Sequence, residues 1–97
     1  MDAPTFTWDP RKDAANQRKH GISFAEAQSV FLDDDALLLD DPDHSEAEDR
    51  FLLIGFSQQL RILVVAHCFR ASDAEIRLIS ARRASRSESR RYAARGH

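Results

Sequence analysis

The sequence of 97 residues has the length of one domain, and its 42% hydrophobic and 31% charged residues are typical of a globular chain. It contains no apolar run near the roughly 20 residues that span a bilayer, and its N-terminus lacks the basic start and apolar stretch of a secretory signal. The single cysteine, Cys68, excludes an intrachain disulfide, and one cysteine with four scattered histidines argues against a structural zinc site. We therefore expect one small cytoplasmic domain over residues 1–97.

Charge is distributed unevenly along the chain, although the net charge is only −2. Residues 32–49 hold nine acidic residues and no basic one, whereas residues 50–97 hold ten arginines and three acidic residues. A guanidinium group binds phosphate through two parallel N–H donors and stacks on bases. The arginine-rich part therefore suits a polyanionic partner, with a solvated face paired to the acidic segment as the alternative.

The N-terminal residues predict a strand and a helix in sequence. Residues 5–8 (TFTW) predict a short edge strand. Asp9 and Pro10 predict the start of a helix that runs to about His20, since aspartate is a good N-cap and proline is tolerated in the first turn. Gly21 then supplies the left-handed conformation that ends many helices.

A second helix and a short strand are predicted next. Ser23-x-x-Glu26 has the spacing of a capping box, which opens a helix to about Phe31. Within the acidic segment, residues 36–39 are apolar enough for a short strand before a turn.

The C-terminal half predicts a sheet followed by a helix. Three strands are predicted at residues 51–57, 60–70 and 75–81. Ser85-x-x-Glu88 is a second capping box, opening a helix to about Arg95. Consecutive strands with short turns indicate an antiparallel meander. We therefore expect an α+β fold with about four to five strands, two N-terminal helices and one C-terminal helix, the helices packed on one face.

Two adjacent residues at the end of the first helix are candidates for chemistry. Lys19 and His20 point about 100° apart on a helix, so a shared contact is not expected. Asn16 lies four residues before His20 and is placed to orient its ring. Imidazole is a common general acid or base, while the alternative is a cation stabilised by the helix dipole.

Two further pairs of residues lie on predicted strands. Glu48 and Arg50 alternate with Leu52 and so share a face, either for catalysis or as a cross-strand ion pair worth less than ~1 kcal/mol. His67 and Cys68 lie on opposite faces of a strand, so they cannot form a nucleophile–base pair. We expect Cys68 to be buried.

The last strand and the terminal helix carry most of the arginines. Alternation predicts Arg77, Ile79, Ala81 and Arg83 on one strand face, and Ile76, Leu78, Ser80 and Arg82 on the other. Arg86 and Arg90 lie four residues apart on the helix, where like charges repel. This spacing suits an anionic partner, and Arg70 ends the neighbouring strand.

Four segments of the chain together resemble one known family. They are FTWDPRKDAANQRKHGISFAEAQSVF, DHSEAEDRFLLIG, LVVAHCFR and EIRLISARRASRSESRRY. In this order, and over nearly the whole chain, they are similar to the BrnT toxins of bacterial type II toxin–antitoxin modules. KHGISF and IRLISARRA together are the most specific segments. His67-Cys68 stands where the family more often has a hydroxyl or aromatic residue.

The resemblance implies a fold similar to RelE-type ribonucleases and a cofactor-free, metal-independent cleavage of RNA that blocks translation. It also implies a BrnA-type antitoxin, a ribbon-helix-helix DNA-binding protein encoded beside the toxin. The toxin would reach promoter DNA only through that antitoxin, and it would not contact a membrane. The positions that family matching marks as functional are Lys19, His20, Glu48, Arg50, Arg82 and Arg83. The arginines expected to bind RNA are Arg70, Arg77, Arg86 and Arg90.

Cleavage of RNA without a metal requires a base for the 2′-hydroxyl, cations for the phosphorane and an acid for the leaving oxygen. Either His20 or Glu48 can serve as the base. Lys19 and the arginines at 50, 82 and 83 can supply the cations. The alternatives are a subunit that binds nucleic acid without cutting it and a protein-interaction subunit of a DNA-binding repressor complex.

Overall fold

The computed structural model describes residues 3–41, 49–72 and 74–95. Within these ranges the elements are β1 (Thr5–Thr7), α1 (Pro10–His20), α2 (Phe24–Ser29), a 3-10 turn (Val30–Leu32), β2 (Leu37–Asp40), β3 (Phe51–Phe56), β4 (Ile62–Arg70), β5 (Glu75–Arg83) and α3 (Arg86–Ala94). The predicted α+β class, with three helices and five strands in the described part, is confirmed. In the described residues, no helix combines the length and apolar character needed to cross a membrane.

The five strands form one sheet in the order β1-β5-β4-β3-β2. Strands β2 to β5 form the predicted antiparallel meander. The expectation of an antiparallel sheet is wrong for β1, which runs parallel to β5 with Phe6 opposite Ile76. Parallel neighbours need a long crossover, and here the whole chain between the two strands provides it. The sequence of a three-residue strand is too short to predict which strand it pairs with or in which direction.

The helices pack on both faces of the sheet, so the expectation that they share one face is also wrong. The face covered by α1 and α2, the α1–α2 face, has a buried core of Ile22, Phe24, Ala27, Val30, Leu53, Leu63, Val65, Ile76, Leu78 and Ala81. The opposite face, the α3 face, buries Ile54 and Val64 against Tyr92 of α3. Because both faces are covered, β3 and β4 read as continuous apolar runs rather than as an alternation.

A bulge in β5 changes which arginines share a face. Opposite β4, Ser80 pairs with Ala66 and Leu78 pairs with His67, which leaves Ile79 as an extra residue. The predicted alternation is therefore wrong beyond Leu78. The α1–α2 face receives Ile76, Leu78, Ala81 and Arg83, and the α3 face receives Arg77, Ser80 and Arg82.

The predicted ends of α1 and the predicted N-cap of α2 are confirmed, whereas the predicted capping box of α2 is incomplete. The Asp9 carboxylate accepts a hydrogen bond from the Arg11 N–H at 2.8 Å, and Gly21 adopts a left-handed φ of 71°. Ser23 caps α2 by accepting from the Glu26 N–H at 3.1 Å. The Glu26 carboxylate does not close a capping box; it accepts a hydrogen bond from Arg61 Nε at 2.9 Å instead. The buried carboxylate thus joins α2 to the start of β4.

Asn16 connects α1 to the edge of β5. β1 pairs with residues 75–77, so in the described part of the chain the backbone of β5 beyond Arg77 has no strand on that side. The buried amide of Asn16 donates from Nδ2 to the carbonyls of Ala81 and Ile22, both at 2.8 Å, and its Oδ1 accepts from the Ala81 N–H at 3.1 Å. Asn16 therefore takes the place of a sixth strand at this point of the edge.

We expect Asn16→Ala to lower the free energy of unfolding by at least about 3 kcal/mol, because a buried polar group left unpaired costs ~1–3 kcal/mol and three would lose their partner. Chemical denaturation of the purified protein measures this. Arg18→Ala, at an exposed position of the same helix, should change stability by less than ~0.5 kcal/mol. Equal stabilities for the two variants would contradict the role given to Asn16.

The Arg82–Glu88 ion pair fixes α3 to the end of β5. The guanidinium donates from Nη1 and Nη2 to the two carboxylate oxygens, at 2.7 and 2.9 Å. Glu88 also accepts from the Ser85 N–H at 2.8 Å, which completes the predicted capping box of α3. The hydrogen bonds from Arg82 are the main cause that lowers the pKa of Glu88 to about 2.

The lowered pKa of Glu88 predicts an acid-dependent loss of stability. The contribution of this carboxylate is complete above its ordinary pKa of 4.5 and is lost as the pH falls from there toward about 2. The melting temperature of Glu88→Gln should therefore fall less steeply than that of wild type between pH 5.5 and 3. Arg82→Gln should show the same shallower slope, since it removes the cause of the shift. Slopes equal to that of wild type would contradict this coupling.

Candidate functional site

A shallow depression of about 230 Å³ lies where α1 crosses the bulged edge of β5. Its lining residues are Lys12, Ala15, Asn16, Lys19, His20, Ile79 and Ser80. Both lysines of the sequence are among them. Among the residues that the structure describes, the lining thus includes two lysines, a histidine and a serine, and no acidic residue.

The position of the basic groups follows from the helix. Lys12, Asn16 and Lys19 are spaced by four and three residues, which places them along one side of α1. Because Asn16 is bonded to the edge of β5, this side faces the strand. Lys19 and His20 lie in the last turn, where the helix dipole favours positive charge.

Lys19 and His20 line the same depression, since a surface of this size accepts side chains that diverge by about 100°. The expected orientation of the His20 ring by Asn16 is not seen, because both Asn16 N–H groups donate to backbone carbonyls.

Of the two histidines in the described ranges, His20 alone reaches the surface. His67 is fully buried and lies between the rings of Phe31 and Phe69, with centroids 4.9 and 5.3 Å from its own. Burial lowers the pKa of His67, which favours the neutral ring. His20 is therefore the described imidazole that can exchange a proton with a bound molecule. The expected burial of Cys68, which is 1% exposed, is confirmed.

Arg82 and Arg83 point to opposite faces of β5, as expected for adjacent strand residues. Arg82 is held by Glu88, so its guanidinium already has an anionic partner. Arg83 is exposed on the α1–α2 face. There it contributes, after the hydrogen bonds from Arg61 and Ser57, to lowering the pKa of Glu26.

The remaining predicted residues are spread over the molecule. Arg50 is half-buried before β3, two strands away from β5. Arg77 is half-buried on the α3 face of β5, whereas Arg86 and Arg90 are exposed on α3 and Arg70 is exposed at the end of β4. Glu48 lies outside the described residues. The described part of the chain therefore does not gather these arginines into one cluster.

Two residues of the depression were not predicted from the sequence. Lys12 lies seven residues before Lys19, which is two helical turns, so the two lysines share one side of α1. This spacing could have identified Lys12 once Lys19 was a candidate. Ser80 reaches the depression beside the bulge residue Ile79, and no sequence pattern marks a bulge. Across residues 3–41, 49–72 and 74–95, the structure contains no group of three or more histidine, cysteine or acidic side chains placed to hold a metal ion.

The arrangement is suited to binding a phosphate group. Ammonium groups attract the anion, and the imidazole can accept or donate a proton. Since the lining contains no acidic side chain in the described part of the chain, the local charge is positive. An anionic substrate with an ionisable hydroxyl fits this chemistry.

Comparisons with known proteins agree with this description. A family model described as the ribonuclease toxin BrnT of type II toxin–antitoxin systems matches residues 8–88. Among solved structures, the chain is similar to the ribonuclease toxin BrnT of Brucella abortus, known from a crystal structure at 1.1 Å resolution, with 27% identity and a TM-score of 0.65 over 87% of this chain and 100% of that one. Comparison with curated proteins gives no significant match. Because the family model covers most of the chain and the fold agrees, the chain belongs to the BrnT family of ribonuclease toxins from type II toxin–antitoxin systems.

Proposed function

We propose that this protein is a metal-independent endoribonuclease that cleaves RNA in the cytoplasm and thereby blocks translation, and that a BrnA-type ribbon-helix-helix antitoxin neutralises it. The family supplies the toxin class and the ribonuclease activity. The observation that carries the finer proposal is the basic depression between α1 and β5.

The chemistry assigned to the depression is an attack within the RNA strand. A base takes the proton of the 2′-hydroxyl, whose oxygen then bonds to the adjacent phosphorus. The bond from phosphorus to the 5′-oxygen breaks, and an acid gives that oxygen a proton. The products are a 2′,3′-cyclic phosphate and a 5′-hydroxyl, so no water or oxidant is consumed.

His20 is the group we assign to proton transfer, since it is the imidazole that lines the depression. Lys19 and Lys12 are assigned to the phosphorane, whose additional negative charge they would stabilise more than the charge of the ground state. Glu48 and Arg50 remain candidates by resemblance to the family. In this assignment the lysine ammonium groups stabilise the negative charge of the transition state, which a metal ion does in other nucleases.

The arginines fall into two groups in this proposal. Arg82 is a positioning residue, because its guanidinium is engaged by Glu88 and holds α3. Arg83 is exposed and remains a candidate for direct contact with RNA near the reacting phosphate. The arginines proposed to track the RNA backbone are Arg70, Arg77, Arg86 and Arg90. Exposed arginines on one helix, such as Arg86 and Arg90, suit sequence-independent phosphate contacts.

Cleavage should persist in excess EDTA, because the assigned groups are all side chains of the protein. The assay is incubation of purified toxin with bulk RNA, followed by detection of 2′,3′-cyclic phosphate ends. Loss of cleavage in EDTA with recovery only on adding Mg²⁺ or Mn²⁺ would contradict metal independence. Binding of RNA without turnover under any condition would favour the non-catalytic alternatives.

Lys19→Ala should reduce the cleavage rate by about 10²-fold, by analogy with the loss of a group that stabilises transition-state charge. Its neighbour Arg18 is exposed on the same helix outside the depression, so Arg18→Ala is the matched control and should stay within about twofold of wild type. Thermal melts should place both variants within a few degrees of wild type. Equal effects of the two substitutions on cleavage would show that general charge, and not the depression, determines the rate.

A further inference from the structure

Within residues 3–41, 49–72 and 74–95, the second edge of the sheet is formed by β2, which pairs there with β3 alone. The Asp41 N–H donates to the Arg50 carbonyl at 3.0 Å, so Leu39 and Leu37 make the ladder bonds with β3 by alternation. The N–H and C=O groups of Leu38 and Asp40 therefore point away from the sheet. An edge of this kind is a template for an added strand.

The sheet has a depression on each face beside β2. On the α1–α2 face, a depression of about 460 Å³ is lined by Leu38, Asp49, Phe51 and Phe69. On the α3 face, one of about 360 Å³ includes Leu39, Leu52 and Ile54 in its lining. Leu38 is 51% exposed, whereas the other leucines in the described strands are buried or half-buried. Because side chains of an added strand alternate between faces, such a strand would present apolar groups to both depressions.

Exposed acidic residues flank β2. Asp34, Asp40 and Asp49 lie at or near its two ends, whereas Arg91 lines the depression on the α3 face. The family implies a protein antitoxin as the partner of this toxin. An extended segment with basic residues at its ends and apolar residues between them has the charge and the pattern that this edge requires.

We propose that the antitoxin binds this toxin by adding an extended, basic-ended segment to β2 as a sixth strand of the sheet. The inference rests on the partner in the proposed function and not on the nuclease chemistry. β2 lies three strands from β5, about 14 Å at the usual strand spacing, so this contact does not by itself fill the basic depression. Contacts at β2 therefore determine the affinity of the complex independently of the cleavage site.

Amide hydrogen exchange of the toxin, alone and in complex with the protein encoded beside its gene, tests the proposal directly. The amides of Leu38 and Asp40 should exchange at least ~10-fold more slowly in the complex. The Phe6 amide is the control, because Thr5 bonds to Ala74 at the other edge and alternation turns Phe6 outward. Phe6 should keep its rate. A complex in which the amides of Leu38 and Asp40 exchange as in the free toxin would overturn the proposal.

Two substitutions at one position separate backbone pairing from side-chain packing. Leu38→Pro removes the outward N–H, which edge strands tolerate, and should weaken binding about 10-fold or more. Leu38→Val keeps the N–H and should bind within about threefold of wild type. Both free variants should cleave RNA as wild type does. If Leu38→Pro does not fold, the exchange experiment on the wild-type complex still decides.

The remaining outcomes are also decisive. Concentration-dependent protection of Leu38 and Asp40 in the toxin alone would identify β2 as a contact between two copies of this chain and overturn the proposal. Failure of the neighbouring protein to bind would overturn both the partner and the added strand. Neither result bears on RNA cleavage by the free toxin, so failure of this inference and failure of the nuclease assignment are distinguishable.

Discussion

The bonds between Asn16 and Ala81 are the constraint on which the basic depression depends. β1 ends too early to cover the rest of β5, and α1 covers the exposed backbone with one amide side chain. The amide satisfies an N–H and a C=O that would otherwise be buried without partners. In doing so it fixes the rotation of α1, and with it the direction of Lys12 and Lys19. A structural bond between helix and strand thus determines where the positive charge of the N-terminal half is concentrated.

Charged residues in this chain have two kinds of role, and the sequence does not distinguish them. Arg61 and Arg82 form ion pairs with carboxylates, and these pairs hold elements of the fold together. Asp33, the first residue of the acidic run, accepts hydrogen bonds from the Phe56 N–H at 2.9 Å and the Tyr92 hydroxyl at 2.6 Å. A Cβ at Gly55 would lie 2.9 Å from that carboxylate, so glycine makes room for it. Asp33 therefore belongs to the fold, whereas Asp34 and Asp40 remain available at the surface.

Local signals in the sequence predicted the fold better than they predicted the pairing of its elements. The caps at Asp9, Gly21 and Ser85 depend on neighbouring residues only, and all three form as expected. The partner of β1, the face covered by α3 and the bulge at Ile79 depend on contacts between distant residues, which periodicity does not encode. The same limit applies to the site. Lys19 and His20 were predicted from the end of the first helix and from the family resemblance, whereas the presence of Ser80 in the lining depends on the bulged edge of β5.

The two edges of the sheet differ in a way that relates to their proposed roles. The β5 edge beyond β1 is partly closed by Asn16, and the side chains beside it are basic. The β2 edge keeps the backbone groups of Leu38 and Asp40 directed outward, and exposed acidic residues flank its two ends. Under the proposed function, an RNA strand would be attracted to the first edge more than to the second, whereas a basic protein segment would have the opposite preference. The uneven charge along the sequence thus becomes a separation in space, and the two proposals assign the substrate to the basic edge and the protein inhibitor to the other.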